Sequence, residues 1–313
     1  MIPFMKFKWF SLTLSILVFA GTFYYTETHF GGFKKGLDFA GGIKIEIRLT
    51  KDITIEKLRE FFKKMQVDAI VQQAGKDGND AKIEIGNEDA IKLDKEAEKH
   101  RSELEKEGFS INSIDYIKYK MLHTLGKEHP EELDFVDASK VGPTVGKYLR
   151  ESAVKLLLVA LALITAYVAF RFQLKYAAGA TLALLHDLAL TLGFIGYFQI
   201  PLSIPVVAAL LTILGYSIND TIVVYDRIRE NLGNKDEVYL DKVVDRSINE
   251  SLSRTIITSL TTLISVVAVY FYGGEGLNDM AAVLIIGIII GTYSSSFIAS
   301  PVVVIWNRIA YRS

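Results

Sequence analysis

Long apolar stretches alternate with charged segments along this chain of 313 residues. A helix needs about 20 predominantly apolar residues to cross the hydrocarbon core of a bilayer. Six stretches meet this requirement: Trp9–Tyr25, Ala153–Phe170, Tyr176–Tyr197, Pro205–Tyr225, Thr255–Tyr272 and Met280–Trp306. The pattern therefore predicts an α-helical membrane protein with six transmembrane helices, one before and five after a charged segment.

These spans divide the chain into three predicted regions. Residues 1–29 hold the first transmembrane helix, residues 30–150 a charged α+β domain, and residues 151–313 a five-helix bundle. The bundle includes a polar loop, residues 226–253, between the fourth and fifth spans. Apolar residues of this loop recur at a spacing that predicts an amphipathic hairpin: Val238, Leu240, Val243 and Val244.

The first span follows Lys6 and Lys8, which is also how a secretory signal peptide begins. Two features favour a retained membrane anchor over a cleaved signal. No A-x-A-like cleavage site follows the span, and its apolar run is long for a signal peptide.

Lysine and arginine concentrate on one side of the predicted bundle. They precede span one, join spans two and three, lie between spans four and five, and follow span six: Lys6, Lys8, Arg171, Lys175, Arg227, Arg229, Lys235, Lys242, Arg246, Arg308 and Arg312. The opposite side carries the loop Gln199–Pro201 and the acidic loop Gly273–Asp279. Short loops rich in lysine and arginine stay in the cytoplasm. Both termini are therefore predicted to be cytoplasmic, and the charged domain to be exported.

A glycine-rich motif, GLDFAGG, opens the exported domain. Its candidate functional residues are Gly36, Asp38, Phe39, Gly41 and Gly42. Isoleucine then alternates with charged residues over residues 43–49, which predicts a half-buried strand that begins at a glycine turn. Aspartate is common in such turns, so Asp38 is predicted to stabilise the turn rather than to bind a ligand.

The pattern beyond this strand continues the order β-α-β-β. It predicts a helix capped by Thr54, a strand Asp68–Gln72, a turn Gly75–Asn79 and a strand Lys82–Ile85. This order predicts an α+β ferredoxin-like domain between the first and second transmembrane helices.

The later part of the domain is less regular. Residues 88–132 are interpreted as a charged insertion, in which residues 88–108 form a solvated helix. Phe109–Tyr116 and Leu133–Val141 are predicted to be further strands.

Composition excludes several functions. With no cysteine, the chain has no disulfide, thiolate nucleophile or cysteine-ligated metal, and its five scattered histidines predict no metal site. A formal net charge of −1 argues against a nucleic-acid partner. The exported domain shows no nucleophile–base pair or phosphate loop, which indicates a binding or docking surface rather than an enzyme.

Charged residues are rare inside the predicted spans, and each is costly in hydrocarbon unless it faces a partner, a cavity or a pathway. Asp220 lies in span four and Arg254 opens span five, so the hairpin between these spans makes an Asp–Arg pair plausible. His186 and Asp187 interrupt span three, and Asn219 adjoins Asp220.

Two interpretations of these charges stay open on the residues alone. Asp220 is either a protonatable group coupled to helix movement or one half of a static ion pair that fixes helix packing. Glycines also recur in spans three to six, where small residues permit close helix approach.

Five segments carry a resemblance to a known family: GLDFAGG after span one, VGPTVG at residues 141–146, ALLHDL at 183–188, GYSINDTIVVYDRIREN at 215–231 and SINESLSRTIITSLTT at 247–262. In this order, on a topology of one plus five spans, they resemble the SecF family, the smaller subunit of the bacterial SecDF protein-export complex. Members are similar to half of a resistance–nodulation–division transporter, and SecD supplies the related half.

The resemblance implies a proton-driven step that completes protein translocation across the bacterial inner membrane after SecA and SecYEG have started it. Asp220 falls on the family's membrane aspartate and Arg254 on its span-five arginine, while Asn219, His186 and Asp187 are supporting polar residues. The implied partners are SecD, SecYEG with YajC and YidC, unfolded preprotein and membrane lipid. The implied role is non-enzymatic and uses no cofactor beyond the coupling proton.

Two alternatives belong to other functional classes. The first is a small-molecule or ion exporter half of the same superfamily, in which polar residues of several spans line a solute pathway. The second is a purely structural membrane scaffold, in which Asp220 and Arg254 only hold helices together.

Overall fold

The computed structural model describes residues 1–50, 53–74, 79–125, 134–233 and 240–310. The chain divides into two compact units, residues 35–152 and residues 1–34 together with 153–313. Several residues named in the sequence analysis lie outside the described ranges: most of the turn Gly75–Asn79, Leu133, Lys235, Val238 and Arg312.

The elements follow one another along the chain. A 3₁₀ turn, Phe4–Phe7, leads into α1 (Lys8–Phe30). The α+β domain comprises α2 (Leu37–Ala40), β1 (Gly42–Arg48), α3 (Ile55–Lys64), β2 (Ala69–Ala74), β3 (Asp80–Gly86), α4 (Asn87–Lys99), α5 (Arg101–Lys106), α6 (Ser113–Thr124) and β4 (Phe135–Val141). The remaining helices are α7 (Pro143–Arg171), α8 (Leu174–Tyr197), α9 (Ile204–Leu232), α10 (Leu240–Tyr272), α11 (Glu275–Ser294) and α12 (Ser300–Ala310).

Within the described ranges, six helical segments are long and apolar enough to cross a membrane, as predicted. The sixth segment joins α11 to α12 through a π-helical turn, Ser295–Ala299. The hydroxyl of Ser300 donates to the carbonyl of Ser295 at 2.9 Å within this turn. Such π turns insert an extra residue into a helix and are frequent at functional sites.

Helices α8, α9 and α11 form the centre of the bundle, whereas α7 and α10 leave most of their apolar surface exposed. Glycine allows the central helices to approach closely. A Cβ atom on Gly179 of α8 would lie 2.8 Å from the carbonyl oxygen of Ala299, which is closer than real Cβ atoms come. The small residues therefore serve helix packing, as the sequence indicates.

The predicted polar loop 226–253 is largely helical where it is described, because α9 continues to Leu232 and α10 begins at Leu240. Leu240, Val243 and Val244 are all buried, which confirms the predicted apolar face for these three residues.

The α+β domain has a four-stranded antiparallel sheet in the order β2-β3-β1-β4. The strand order and the helices between strands make this a ferredoxin-like β-α-β-β-α-β fold, as predicted. The side chains of Ile43, Ile45 and Ile47 are fully buried, and they form the core with apolar residues of α3, including Leu58 and Phe62.

Residues 88–108 are largely helical, as predicted, but the interpretation of this segment as solvated is wrong. Helix α4 buries Ala90, Leu93 and Ala97 against the sheet, and Leu104 of α5 is also fully buried. Three of these four side chains lie on one face of α4. Two of them are alanines among many charged residues, so the apolar stripe gives only a weak signal in the sequence. The segment predicted to be an insertion thus supplies the second crossover helix of the fold.

The predicted strand Phe109–Tyr116 is also wrong. Residues from Ser113 onward form α6, because the Asn112 side chain accepts a hydrogen bond from the backbone N–H of Asp115 at 2.9 Å. This is an N-cap, which satisfies a free N–H group at the start of a helix. The alternation of apolar and polar residues in Phe109–Tyr116 therefore spans a loop and the first turn of a helix, and it does not mark a strand.

Candidate functional site

Asp220 lies on α9, inside the apolar part of the helix, and only 3% of its surface is exposed. The Ser259 hydroxyl of α10 lies beside the Asp220 carboxylate. Arg254, also on α10, acts on this carboxylate through its positive charge. Its Oδ2 atom has no hydrogen-bond partner among the described residues. Asp220 is therefore a buried acid with free capacity to bind a proton.

Arg254 lies on α10, one helical turn before Thr258 and on the exposed side of the helix. The structure places α9 and α10 side by side, as the hairpin predicts. No direct salt bridge joins Asp220 to Arg254 in the described part of the chain, so the charge of Arg254 acts on the carboxylate from beyond ion-pair distance. Asn219 is exposed, although it adjoins the buried Asp220.

A second link extends from Ser259 into the bundle. Its hydroxyl lies 2.7 Å from that of Thr292 on α11, and the Thr292 hydroxyl donates to the carbonyl of Ile288 at 2.7 Å. The neighbourhood of Asp220 thus includes hydroxyl groups from two other helices. Hydrogen bonds between spanning helices hold polar groups that would otherwise be costly in hydrocarbon.

Asp187 has no exposed surface, which makes it the most deeply buried acid among the described residues of the bundle. Its Oδ2 atom accepts hydrogen bonds from Ser217 of α9 and from Ser294 of α11, the latter at 2.8 Å. Its Oδ1 atom lies 2.9 Å from Nδ1 of His186. One carboxylate therefore joins three spanning helices.

The rings of His186 and Tyr293 lie next to each other, with centroids 6.2 Å apart. The Tyr293 hydroxyl donates to the carbonyl of Ser11 on α1 at 3.1 Å. The Ser15 hydroxyl lies 3.4 Å from the same phenol oxygen. The polar cluster of the membrane unit thus extends from span one through span three to span six.

The glycine-rich motif of the α+β domain forms the short helix α2 and leads into β1. Two glycines with positive φ connect the helix to the strand, Gly41 at 78° and Gly42 at 147°. Gly36 caps α2, and Phe39 is buried. A Cβ atom on Gly146 would lie 3.0 Å from the carbonyl oxygen of Phe39. The segments GLDFAGG and VGPTVG therefore pack directly against each other.

The sequence placed Asp220, Arg254, His186 and Asp187 in the membrane, but the serine and threonine partners were missed. Ser217, Ser259, Thr292 and Ser294 supply hydrogen bonds around the two acids. Hydroxyl residues in spans usually bond to their own helix, so their presence alone did not indicate a cluster. Within the described ranges, no group of three or more histidine, aspartate or glutamate residues could hold a metal ion.

Residues 121–309 match the family model described as protein export membrane protein SecD/SecF, C-terminal. The protein translocase subunit SecF of Thermodesulfovibrio yellowstonii is 37% identical over 311 residues, which cover 98% of this chain and 95% of that relative. The protein of the same name from Desulfurispirillum indicum is 37% identical over 310 residues, covering 98% of this chain and 92% of the relative.

Two solved structures are similar to the whole chain. The crystal structure of SecDF, a translocon-associated membrane protein from Thermus thermophilus, matches with a TM-score of 0.70 and 33% identity, and the match covers 98% of this chain but 38% of that longer chain. SecDF in its super-membrane-facing form matches with a TM-score of 0.65 and 33% identity, covering 99% and 39%. From this agreement in sequence, fold and length, the chain belongs to the SecF family of protein translocase subunits.

Proposed function

We propose that this chain works with SecD as a subunit that uses the proton motive force to promote late steps of protein translocation. The observation that carries the proposal is Asp220, a buried carboxylate at membrane depth with one oxygen free of hydrogen-bond partners among the described residues. Acids in spanning segments are rare and commonly belong to proton or substrate pathways. The protein acts without enzymatic chemistry, and the proton is its coupling ion.

The proton changes the charge of Asp220. In the ionised state the carboxylate attracts Arg254 and the Ser259 hydroxyl, and in the protonated state this attraction weakens. Because Asp220 belongs to α9 and both neighbours belong to α10, each protonation event changes the free energy of one arrangement of the two helices relative to another. Proton binding and release can therefore drive movement between these helices.

SecD is the proposed partner on the polar face of α9 and α10. Helix α9 exposes Thr212, Gly215 and Asn219, and Arg254 is exposed on α10. On α10 the face continues through hydroxyl residues that follow Arg254 at helical spacing: Thr258, Thr261 and Ser265. Polar and small residues at membrane depth favour contact with another protein helix over contact with lipid.

The structure of the membrane unit supports a common side for both chain ends. Asp241 pairs with Lys8 of α1 at 3.4 Å and also with Arg308 of α12. Since basic residues near short loops mark the cytoplasmic side, we place both termini in the cytoplasm, the bundle in the inner membrane and the α+β domain in the periplasm.

The α+β domain is proposed to transmit the movement of the spanning helices to the substrate. Its GLDFAGG segment packs against VGPTVG, and the latter segment includes Pro143, where α7 begins. Movement of a spanning helix would therefore reach the domain at this motif. The proposed substrate is unfolded preprotein, delivered by SecYEG, with YajC and YidC as further partners and lipid around α7 and α10.

A substitution at Asp220 separates this proposal from a static scaffold. Asp220→Asn keeps the size of the side chain but removes its titration, so proton-driven export and proton conductance of the complex reconstituted with SecD should both be lost. The matched control is Asp226→Asn, because Asp226 is an exposed aspartate of the same helix and its neutral variant should remain active. Normal proton-driven export by fully assembled Asp220→Asn would refute the proposal.

A further inference from the structure

The segment ALLHDL places two ionisable side chains next to each other on α8, and the proposed role of Asp220 does not use them. Asp187 has no exposed surface, and the His186 side chain is 13% exposed. A buried acid in a membrane bundle must be neutralised or fully hydrogen-bonded, because an isolated charge in a low-dielectric medium is very costly. The side chains around Asp187 show how its charge is stabilised.

The polar contacts of Asp187 place two hydroxyl donors and one imidazole nitrogen at its carboxylate. Ser217 and Ser294 donate to Oδ2, and Nδ1 of His186 lies 2.9 Å from Oδ1. The two serines are neutral, and no lysine or arginine pairs with Asp187 in the described part of the chain. His186 is thus the one contacting side chain that can carry a compensating positive charge.

The pair has two charge states that the same geometry accommodates. With a neutral imidazole and an ionised carboxylate, the pair carries a net charge of −1. Uptake of one proton from water, with no other bond formed or broken, gives an imidazolium next to a carboxylate and a net charge of zero.

Several ionisable side chains in the described part of the chain lie on the helices around the His186–Asp187 pair but form hydrogen bonds or ion pairs with neither residue. Tyr293 of α11 faces the imidazole, but its hydroxyl donates to the carbonyl of Ser11. On α9, Asp220 lies one turn beyond Ser217, and Tyr225 donates to the carbonyl of Ala299. Three basic residues near the ends of the neighbouring helices pair with other acids: Lys8 and Arg308 with Asp241, and Arg227 with Glu230 and Glu250.

A free atom of the pair points to proton exchange. Nε2 of His186 is buried and has no hydrogen-bond partner among the described residues. In the neutral imidazole with a hydrogen on Nδ1, this nitrogen is the lone-pair acceptor that takes the incoming proton. The imidazole thus has one nitrogen fixed by the carboxylate and one available for protonation.

We propose that His186 and Asp187 form a second protonatable site in the membrane, separate from Asp220, that holds one exchangeable proton. Ser217 connects this site to α9, because its hydroxyl donates to Asp187 and its position is three residues before Asp220, on the same side of the helix. Occupancy of the pair therefore alters the hydrogen bonding of the helix turn that carries Asp220. Only this last connection rests on the proposed function; the proton site itself does not.

Infrared difference spectroscopy of the complex reconstituted with SecD tests the site directly. Spectra recorded between pH 5 and pH 8, roughly the range over which imidazole titrates, should contain a histidine band that titrates. A band of the carboxylate, which stays ionised, should shift in frequency over the same pH range. Asp187→Asn should remove the carboxylate band and weaken the histidine band, because the imidazolium loses its compensating charge. His186→Gln should remove both bands, and histidine isotope labelling identifies the histidine band. Asp220→Asn should leave both bands in place.

Two outcomes would overturn the inference. If His186→Gln left the titrating histidine band unchanged, the proton would not reside on this pair. If Asp187→Asn left the spectrum unchanged, the carboxylate would take no part in proton binding and would only hold the three helices together. Ser294→Ala guards against misfolding, since it removes one hydrogen bond but keeps both ionisable groups and should keep the bands.

The same variants separate this inference from the proposed function. If Asp220→Asn exported protein normally while the bands persisted, the proposed function would fail and the proton site would stand. If the bands were absent from the wild-type protein while Asp220→Asn lost export, the proton site would fail and the proposed function would stand.

Discussion

The Nε atom of Arg227, near the end of α9, lies 2.6 Å from Oε2 of Glu250, in the first part of α10. Asn231 donates to the same carboxylate oxygen at 2.7 Å. Glu250 lies one helical turn before Arg254, and Arg227 lies two turns beyond Asp220. One carboxylate therefore holds together the two helices that carry the proposed proton site.

Replacing Glu250 by alanine should loosen this connection. Glu250→Ala removes both hydrogen bonds from α9, so the adjoining ends of α9 and α10 should separate more often. Hydrogen–deuterium exchange should become several-fold faster in these ends, and proton-driven export should fall because the distance between Asp220 and Arg254 is less well defined.

Arg246→Ala is the matched control for this substitution. Nε of Arg246 lies 2.7 Å from Oε1 of Glu250, but both residues belong to α10. Its loss should leave the contacts of Glu250 with α9, the exchange rates and export nearly unchanged. Equal exchange in Glu250→Ala and wild type would show that the carboxylate does not hold the helices together.

The number and the positions of the spanning helices were predictable because they depend on local composition. A run of about 20 apolar residues has few alternatives to a spanning helix, and the six predicted spans agree with the six helices. The first β-α unit of the ferredoxin-like domain followed in the same way from the alternation in β1 and the cap of α3 at Thr54. Features that are encoded within a few neighbouring residues were thus accessible.

Features that depend on distant residues were not accessible. The Asp187 cluster requires Ser217 and Ser294, which lie 30 and 107 residues away along the chain. Helix α6 was mistaken for a strand, because its start depends on the side chain of Asn112 rather than on apolar periodicity. A single sequence shows which residues are unusual for a membrane, but packing decides which of them meet.

Gly179 should not tolerate even a methyl group. A Cβ atom there would collide with the Tyr225 hydroxyl and lie 2.8 Å from the backbone oxygen of Ala299. Gly179→Ala should therefore lower the stability of the membrane unit by about 1–3 kcal/mol, the usual cost of overpacking. Thermal unfolding of the purified protein in detergent measures the effect.

The control for this substitution is Gly21→Ala. Gly21 also lies in a spanning helix, but a Cβ atom there meets nothing within 4 Å. Since alanine is favoured over glycine in helices by about 1 kcal/mol, this variant should be unchanged or slightly more stable. A similar loss of stability in both variants would contradict the packing argument.

Gly42 and Gly86 form a directly paired position between β1 and β3, yet only one of them requires glycine. Gly42 has a φ of 147°, and a Cβ atom there would lie 2.8 Å from the Leu37 side chain and would collide with the carbonyl oxygen of Ile85. Gly42→Ala should destabilise the α+β domain by at least about 1–3 kcal/mol, the usual cost of a strained backbone.

Gly86 provides the comparison, because its φ is −64° and a Cβ atom there meets nothing within 4 Å. Gly86→Ala should leave the domain close to wild-type stability. Hydrogen–deuterium exchange of the amides in β1 and β3 distinguishes the two variants. Slow exchange in Gly42→Ala, equal to that of wild type, would argue against a backbone requirement at this motif.

Asp94 should make the stability of the α+β domain depend on pH. It accepts a hydrogen bond from the backbone N–H of Ser113 at 3.0 Å and pairs with Lys140 of β4. Burial raises the pKa of Asp94, but the bonds from Lys140 and Ser113 outweigh this effect and hold the pKa below its ordinary value.

A carboxyl whose pKa is lower in the folded state contributes its full stabilisation above the unfolded pKa, about 3.9 for aspartate. The contribution is lost as the pH falls through the folded pKa. Asp94→Asn should therefore lower the stability of the domain at pH 7 by about 0.2–1 kcal/mol, the usual range for an exposed ion pair. The difference from wild type should shrink below about pH 4. Urea unfolding followed by exchange in α6 and β4 measures it, with Asp137→Asn on β4 as the exposed control. A difference that stayed constant down to pH 2 would exclude ionisation of Asp94 as its cause.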